Sequence, residues 1–422
     1  METAILFLFI IGYILIAFEH VVKVNKAAIA LLTGVLCWTV YALSGADHHL
    51  INEYFESHLS EISGIIFFLM GAMTIVELID AHDGFEVITN LIKTTDKRKL
   101  LWIICLFTFF LSAILDNLTA TIVMVTLVRK LISEKNDRLL FIGILIIAAN
   151  AGGAWTPIGD VTTTMLWIGG QLSTKAIMSS LLLPSLVSLV IPLLVVSLQL
   201  KGKVHRSEAI SEVDSSSATP FQRKLILFSG IGILLFVPVF KTITHLPPFM
   251  GMLIGLGLLW VISELIHKDK DESDKNNYSV LYALRKIDMP SILFFLGILI
   301  SITALQSTGQ LTALAGFMNE KIGDTNLIVM TIGLLSAIVD NVPLVAASIG
   351  MYDLQTYACD HYFWKFLAYS AGTGGSILII GSAAGVAAMG MEKINFIWYF
   401  KKISWLALLG FFAGAFTFMA LN

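Results

Sequence analysis

Apolar runs long enough to cross a bilayer follow one another along most of this chain, with only short polar stretches between them. They lie at roughly 3–22, 27–44, 62–80, 139–168, 176–200, 223–240, 248–266, 288–308, 362–391 and 403–420. About 20 helical residues span a hydrocarbon core of about 30 Å. Within lipid every backbone polar group must be satisfied internally, which leaves helices or a closed barrel. A barrel strand alternates polar and apolar residues, and these runs do not. The expected fold is an all-α polytopic membrane protein with about ten full transmembrane helices. Composition agrees: 57% of the 422 residues are hydrophobic and 14% charged, against about a quarter charged in soluble domains. The formal net charge of −3 decides little, because placement of charge matters more than its total. The first run lacks a basic leader and an A-x-A site, so it reads as a spanning helix and not as a removed signal peptide. Cys37, Cys105 and Cys359 are odd in number, and two lie in apolar runs, which argues against a disulfide framework or zinc site.

Two further apolar stretches, near 100–132 and 325–355, carry almost the same text: LSAILDNLTATIV at 111–123 and LSAIVDNVPLVAA at 335–347. The first has Lys97, Arg98 and Lys99 before it and Arg129, Lys130, Lys135 and Arg138 after it. Basic flanks favour the cytoplasm, so both ends belong on one side. One straight helix of about 30 residues would be roughly 45 Å long and end on opposite sides. Two half-helices turning at Asp116-Asn117 satisfy both constraints, as a re-entrant hairpin from the cytoplasm. The second stretch is flanked by Asp324, Asp353 and Asp360, so it should enter from outside. Gly45–Ser60, with its acids and three histidines, reads as an external loop. Segments 84–94 and 311–322 are short and amphipathic, suited to the interface.

Opposed hairpins in opposite halves are the mark of an inverted-topology repeat. IIFFLMGAMTIVELI at 65–79 resembles ILFFLGILISITALQ at 292–306, and AGGAWTPIGD at 151–160 aligns with TGGSILIIGS at 373–382, all at offsets of about 222–227 residues. The expected organisation is a first repeat over 1–200, a flexible cytoplasmic linker at 201–222 and a second repeat over 223–422. Each repeat holds a hairpin and a broken helix, at 139–168 and 362–391. Both termini then lie outside the cytoplasm.

A carboxylate at bilayer depth costs about 2.5–3.5 kcal/mol even on the gentlest scale. Glu19, Glu77, Asp80 and Glu264 sit near helix ends. The acids that fall deep are Asp116, Asp160 and Asp340, and no histidine, lysine or arginine is expected at mid-depth beside them. Hairpin tips and helix breaks leave carbonyls without intrahelical partners, and the Gly-Gly and Pro of NAGGAWTPIGD break the 139–168 run. Carbonyl and carboxylate oxygens suit small hard cations, and half-helix C-termini hold Na⁺ in transporters. Neutral oxygens nearby are Asn117, Asn150, Thr156, Thr162 and Thr163 in the first half, and Asn341, Thr373, Ser376 and Ser382 in the second. A duplicated Asp-Asn is hard to read as a solvated loop acid. Asp160 could equally cap a restarted helix, and Thr162 and Thr163 could bond back to their helix.

The hairpin text DNLTAT and the broken-helix text GGAWTPIGDVTT resemble the NhaD-type sodium/proton antiporters of the ion transporter superfamily, which also holds arsenite permeases and divalent anion/sodium symporters. The resemblance covers essentially the whole chain. It implies Na⁺ held at the tips, here Asp116, Asn117, Thr156, Asp340 and Asn341, and a homodimer in which a mobile transport domain moves against a scaffold. Where the symporters carry Ser-Asn-Thr, this chain has Asp-Asn, and Val342-Pro343 follows the second pair. The expected function is exchange of Na⁺ or Li⁺ for H⁺ in pH homeostasis, in a bacterial inner membrane, with lipid around it and no cofactor or nucleic acid. The alternative is an anion, carboxylate or arsenite transporter of the same superfamily, disfavoured because tip carboxylates repel anions. An enzyme is not indicated, since the sequence has no H-E-x-x-H or G-x-S-x-G. A fixed channel fits duplicated broken helices less well than alternating access does.

Overall fold

The computed structural model describes residues 2–17, 19–44, 47–89, 92, 94–204, 218–268 and 277–422. Residues 205–217 of the expected linker lie outside the described residues. Elements begin where a side chain can take up free N–H groups. Asp47, Asp96, Ser173, Asp288 and Asp324 each cap a helix in this way, and Thr219 with Gln222 forms a capping box.

Helices α1 (Glu2–Ala17) and α2 (Lys26–Ala42) form a first apolar pair. Helix α3 (His48–Ala81) runs for 34 residues, so most of the expected loop at 45–60 is helical. Asp47 caps it through the His49 N–H at 2.8 Å, and no glycine or proline interrupts it before Gly64. Ile51 is buried and the Phe55 ring meets Trp38 edge-on at 5.1 Å, which anchors the polar extension. At 1.5 Å per residue α3 is about 51 Å long and must tilt or project beyond the core. Of the expected 84–94 helix only Glu86–Thr89 is helical among the described residues.

Helices α4 (Lys97–Leu115) and α5 (Asn117–Leu131) meet at Asp116 and pack on each other. Lys97 pairs with Asp137 at 2.5 Å, and Arg129 and Arg138 both grip the buried Glu392. The start of α4 and the end of α5 therefore lie on one face, called here the basic face. Helix α6 (Lys135–Gly153) leaves that face, breaks, and resumes as α7 (Val161–Ile168). Every residue of α6 from Phe141 to Gly153 is buried, which makes it the central helix. Then come α8 (Thr174–Gln199), α9 (Pro220–Thr244), α10 (Pro248–Ile266), α11 (Met289–Ser307) and the short α12 (Gln310–Lys321).

Helices α13 (Thr325–Leu335) and α14 (Asn341–Met351) form the second hairpin. Asn326 accepts from the Tyr362 hydroxyl at 2.7 Å, and Tyr352 meets Phe363 edge-on at 4.7 Å. Both hairpin ends thus sit at the start of α15 (Tyr362–Gly374), opposite the basic face. A break separates α15 from α16 (Ala383–Glu392), and α17 (Phe396–Leu421), with a π-turn at Phe400–Ser404, closes the chain.

Seven described helices are long and apolar enough to cross a membrane. One of these, α4, turns back at Asp116; α1 and α2 are shorter apolar helices, and α6–α7 and α15–α16 are interrupted pairs. The protein is a multi-pass integral membrane protein. Its packing is paired: α2 lies on α11 and α3 on α10, α4 on α6 and α13 on α15, α5 on α16 and α14 on α7, with α8 against α17.

Candidate ion-binding site

Each hairpin packs closely on its broken helix because glycine removes the obstacle. A Cβ on Gly152 would collide with the Phe109 carbonyl of α4, and one on Gly374 with the Gly333 carbonyl of α13. Across each of these seams a hairpin serine bonds to the broken helix: Ser112 to the Ala149 carbonyl at 2.6 Å, Ser336 to the Ala371 carbonyl at 2.9 Å. Each hairpin is thereby fixed to its broken helix one turn before its tip.

Asp160 is the hub. It caps α7, with Oδ1 accepting from the Thr162 N–H at 2.8 Å and the Thr162 hydroxyl at 2.7 Å. Its Oδ2 accepts from Asn117 Nδ2 at 2.5 Å and from Asn341 Nδ2 at 3.5 Å, so both hairpin tips reach the same carboxylate. Asn117 also donates to Asn150 Oδ1 at 3.0 Å, and Asn150 Nδ2 donates to Ser376 at 2.9 Å and Ser382 at 2.8 Å. Asp160 is 1% exposed and Asn150 fully buried. The helix-cap and ion-site readings of Asp160 are thus not alternatives, since one oxygen caps and the other faces the cluster.

The tip acids flank this cluster. Asp116 turns onto its own helix, taking the Thr119 N–H and hydroxyl at 2.8 Å each. Asp340 accepts weakly from the Val342 N–H at 3.4 Å and faces Lys26 Nζ at 3.6 Å. That lysine corrects the expectation of no base beside the deep acids. It opens α2, and its side chain lies partly exposed beside the second hairpin tip.

Several hydroxyls are occupied with backbone carbonyls. Thr156 donates to Ala113 at 2.6 Å, Thr163 to Asp160 at 2.9 Å and Thr373 to Tyr369 at 2.7 Å. Thr164, which the sequence reading passed over, takes the Pro157 carbonyl at 2.8 Å, and Tyr399 takes that of Ser376 at 2.8 Å. Thr163 and Thr373 thus bond back to their own helices, while Thr156 ties the first break to the hairpin. Thr119 and Lys26 were also unsignalled. Thr119 could have been found from its place three residues after a capping acid; nothing local points to Lys26.

A cavity of about 240 Å³ opens between α3 and α5, lined by Glu77, Asp80, Glu86, Thr119, Lys130 and Asp288 among others. It shares Met73 and Leu118 with a cavity of about 40 Å³ lined by Asp116, Asn117 and Thr164. An acidic entrance thus leads toward the first tip.

The family model described as citrate transporter matches residues 13–372. Sodium/proton antiporter 1 of Arabidopsis thaliana is 48% identical over 421 residues, covering 100% of this chain and 73% of the relative. Sodium/proton antiporter 2 of the same plant is 47% identical, covering 98% of each. The Na⁺/H⁺ antiporter NhaD of Vibrio cholerae is 29% identical over 99% of this chain and 91% of its own length. With most of its length matched by the family model and by full-length relatives, the chain belongs to the citrate transporter (CitMHS) family of the ion transporter superfamily.

Proposed function

We propose that the protein exchanges Na⁺, or Li⁺, for H⁺ by alternating access, with protons and cations sharing the carboxylates at its centre. One observation carries the reading: both hairpin tips converge on Asp160, an enclosed acid surrounded by amide and hydroxyl groups. The antiporter names of relatives matching the whole chain support it. The cation would sit between the tips on oxygens of Asp116, Asn117, Thr156, Asp340 and Asn341, with Asp160 beneath. In its absence the Asn117 and Asn341 amides offset the Asp160 charge. To bind the ion they turn, presenting carbonyl oxygen in place of N–H. A proton arriving on a carboxylate removes the ligand's charge and releases the ion.

The family description raises citrate as a rival cargo. A tricarboxylate would face Asp116, Asp160 and Asp340 against Lys26, a charge arrangement that rejects it. The acidic entrance between α3 and α5 points the same way.

The remaining organisation is part of the same proposal. The basic face is cytoplasmic, by the positive-inside bias, which puts both termini outside; in a bacterium the membrane is the inner one. Residues 1–200 and 223–422 are inverted repeats. Their hairpins and broken helices form a transport domain that moves against α1, α2, α3, α9, α10 and α11, in a homodimer.

The test is purified protein in vesicles carrying an internal pH dye. Na⁺ pulses should move protons, while citrate and arsenite should not. Citrate uptake without Na⁺-driven proton movement would replace this reading with the anion one.

A further inference from the structure

Asp340 and Lys26 come from parts of the fold with different attachments. Lys26 opens α2, which is fixed to α11: the Trp38 indole donates to the Ile300 carbonyl at 2.9 Å, and Gly34 and Gly297 let the two backbones meet closely. Asp340 sits at the tip of the α13–α14 hairpin, beside the Asn341 that reaches Asp160. The two side chains are 24% and 15% exposed and lie 3.6 Å apart, wider than a hydrogen bond. The ammonium also rests 4.3 Å from the centre of the Phe294 ring, a cation–π contact. Around the pair is a cavity of about 70 Å³, lined also by Tyr13 and Glu19.

We infer that Lys26 is a tethered cation that occupies Asp340 until a transported cation displaces it. The inference rests on the exchange reading and gives the second tip its specific role. Lysine is a compact single positive charge on a flexible stem, with no acceptor of its own. Na⁺ carries the same charge and seeks the same oxygens, so the two compete for one carboxylate. The cavity gives the ammonium space to swing aside. Glu19, whose Oε1 accepts from the Lys26 backbone N–H at 3.1 Å, lines that space and is the anion available to the displaced ammonium. Competition follows because the wide, ring-supported pair holds Asp340 without enclosing it. The first tip is built differently, since Asp116 is held by neutral Thr119 donors. The two tips therefore meet the ion with unequal resistance.

Lys26→Gln removes the competitor and keeps a polar side chain of similar length; Lys26→Arg keeps the charge. In vesicles, Lys26→Gln should lower the apparent KM for Na⁺ by at least about threefold, the order expected for one partly buried ion pair. Lys26→Arg, which keeps a competing charge, should not lower it. Na⁺-driven proton movement with an unchanged or raised KM in Lys26→Gln would overturn the inference and leave exchange standing. Absence of any Na⁺-driven proton movement in the unmodified protein would instead remove the exchange reading. Should Lys26→Gln not fold, the unmodified protein decides: reaction of Lys26 with an amine-specific reagent, followed by mass spectrometry, should rise with Na⁺ and not with choline. Labelling indifferent to Na⁺ would overturn the inference.

Discussion

Asp116 has φ +99° and ψ +158°, while the other described non-glycine residues with positive φ lie between 50° and 62°. That region is nearly reserved for glycine and costs on the order of 1–3 kcal/mol for other residues. The first hairpin therefore retains an acid where glycine would turn more easily, which is unexplained by packing and natural for a ligand. Asp116→Gly should leave the thermal midpoint unchanged or raised, because a glycine cap loses only a few tenths of a kcal/mol, and should abolish Na⁺-driven proton movement. Active Asp116→Gly protein would remove the carboxylate from the mechanism. Asp160→Asn tests the hub differently. Its amide would keep the cap on α7 through oxygen but set a second N–H donor against Asn117, at about 1–3 kcal/mol for the lost bond. Exchange should be lost while folded protein still reaches the membrane, as seen by size-exclusion chromatography. Near-normal exchange in this variant would move the site away from Asp160.

At the level of elements, each hairpin is a helix-length apolar stretch that doubles back on itself at its Asp-Asn. Of the four hairpin helices, α4 is long and apolar enough by itself to qualify as a span. It turns because Asp116 ends α4 and starts α5, so both halves keep their caps, and because Gly152 and Ser112 join it to α6 along its length. The second hairpin achieves the same turn without strain, Asp340 having φ −47°. Cysteines replacing Lys99 and Lys135 should label with an impermeant maleimide from one side only, and cysteines replacing Asp324 and Gln355 only from the other. Labelling of 99 and 135 from opposite sides would mean that α4 crosses after all.

Over the whole molecule, the buried Asp160 lies where the two hairpin tips and the two helix breaks meet, the buried Glu392 is held by arginines on the basic face, and an acidic entrance opens on that same side. A carboxylate must shed its proton before it ligates a cation well, so affinity falls with pH. The apparent KM for Na⁺ should rise roughly tenfold per pH unit below the pKa of the site for one-proton competition, with the rate at saturating Na⁺ little changed. Initial rates across a Na⁺ series at several pH values check this. A fixed KM with a pH-dependent maximal rate would point to separate routes for the two ions.

The sequence by itself determined the solvent, the element type and the turning points. Apolar runs of bilayer length admit only helices, and Asp-Asn flanked by like charge at both ends of one stretch requires a reversal. It also singled out Asp116, Asp160 and Asp340, because acids inside apolar runs are expensive enough to stand out. Their division of labour was decided by the tertiary structure. Asn150 meets Ser376 and Ser382 from 226 and 232 residues away, and Asp340 meets Lys26 from the first helical pair. Polar extension of α3 through 48–60 was likewise invisible, being held by Ile51 and the Phe55–Trp38 contact. Hydropathy and charge count act along the chain, whereas the partner of a buried polar group is fixed by whichever distant element packing brings within about 3 Å.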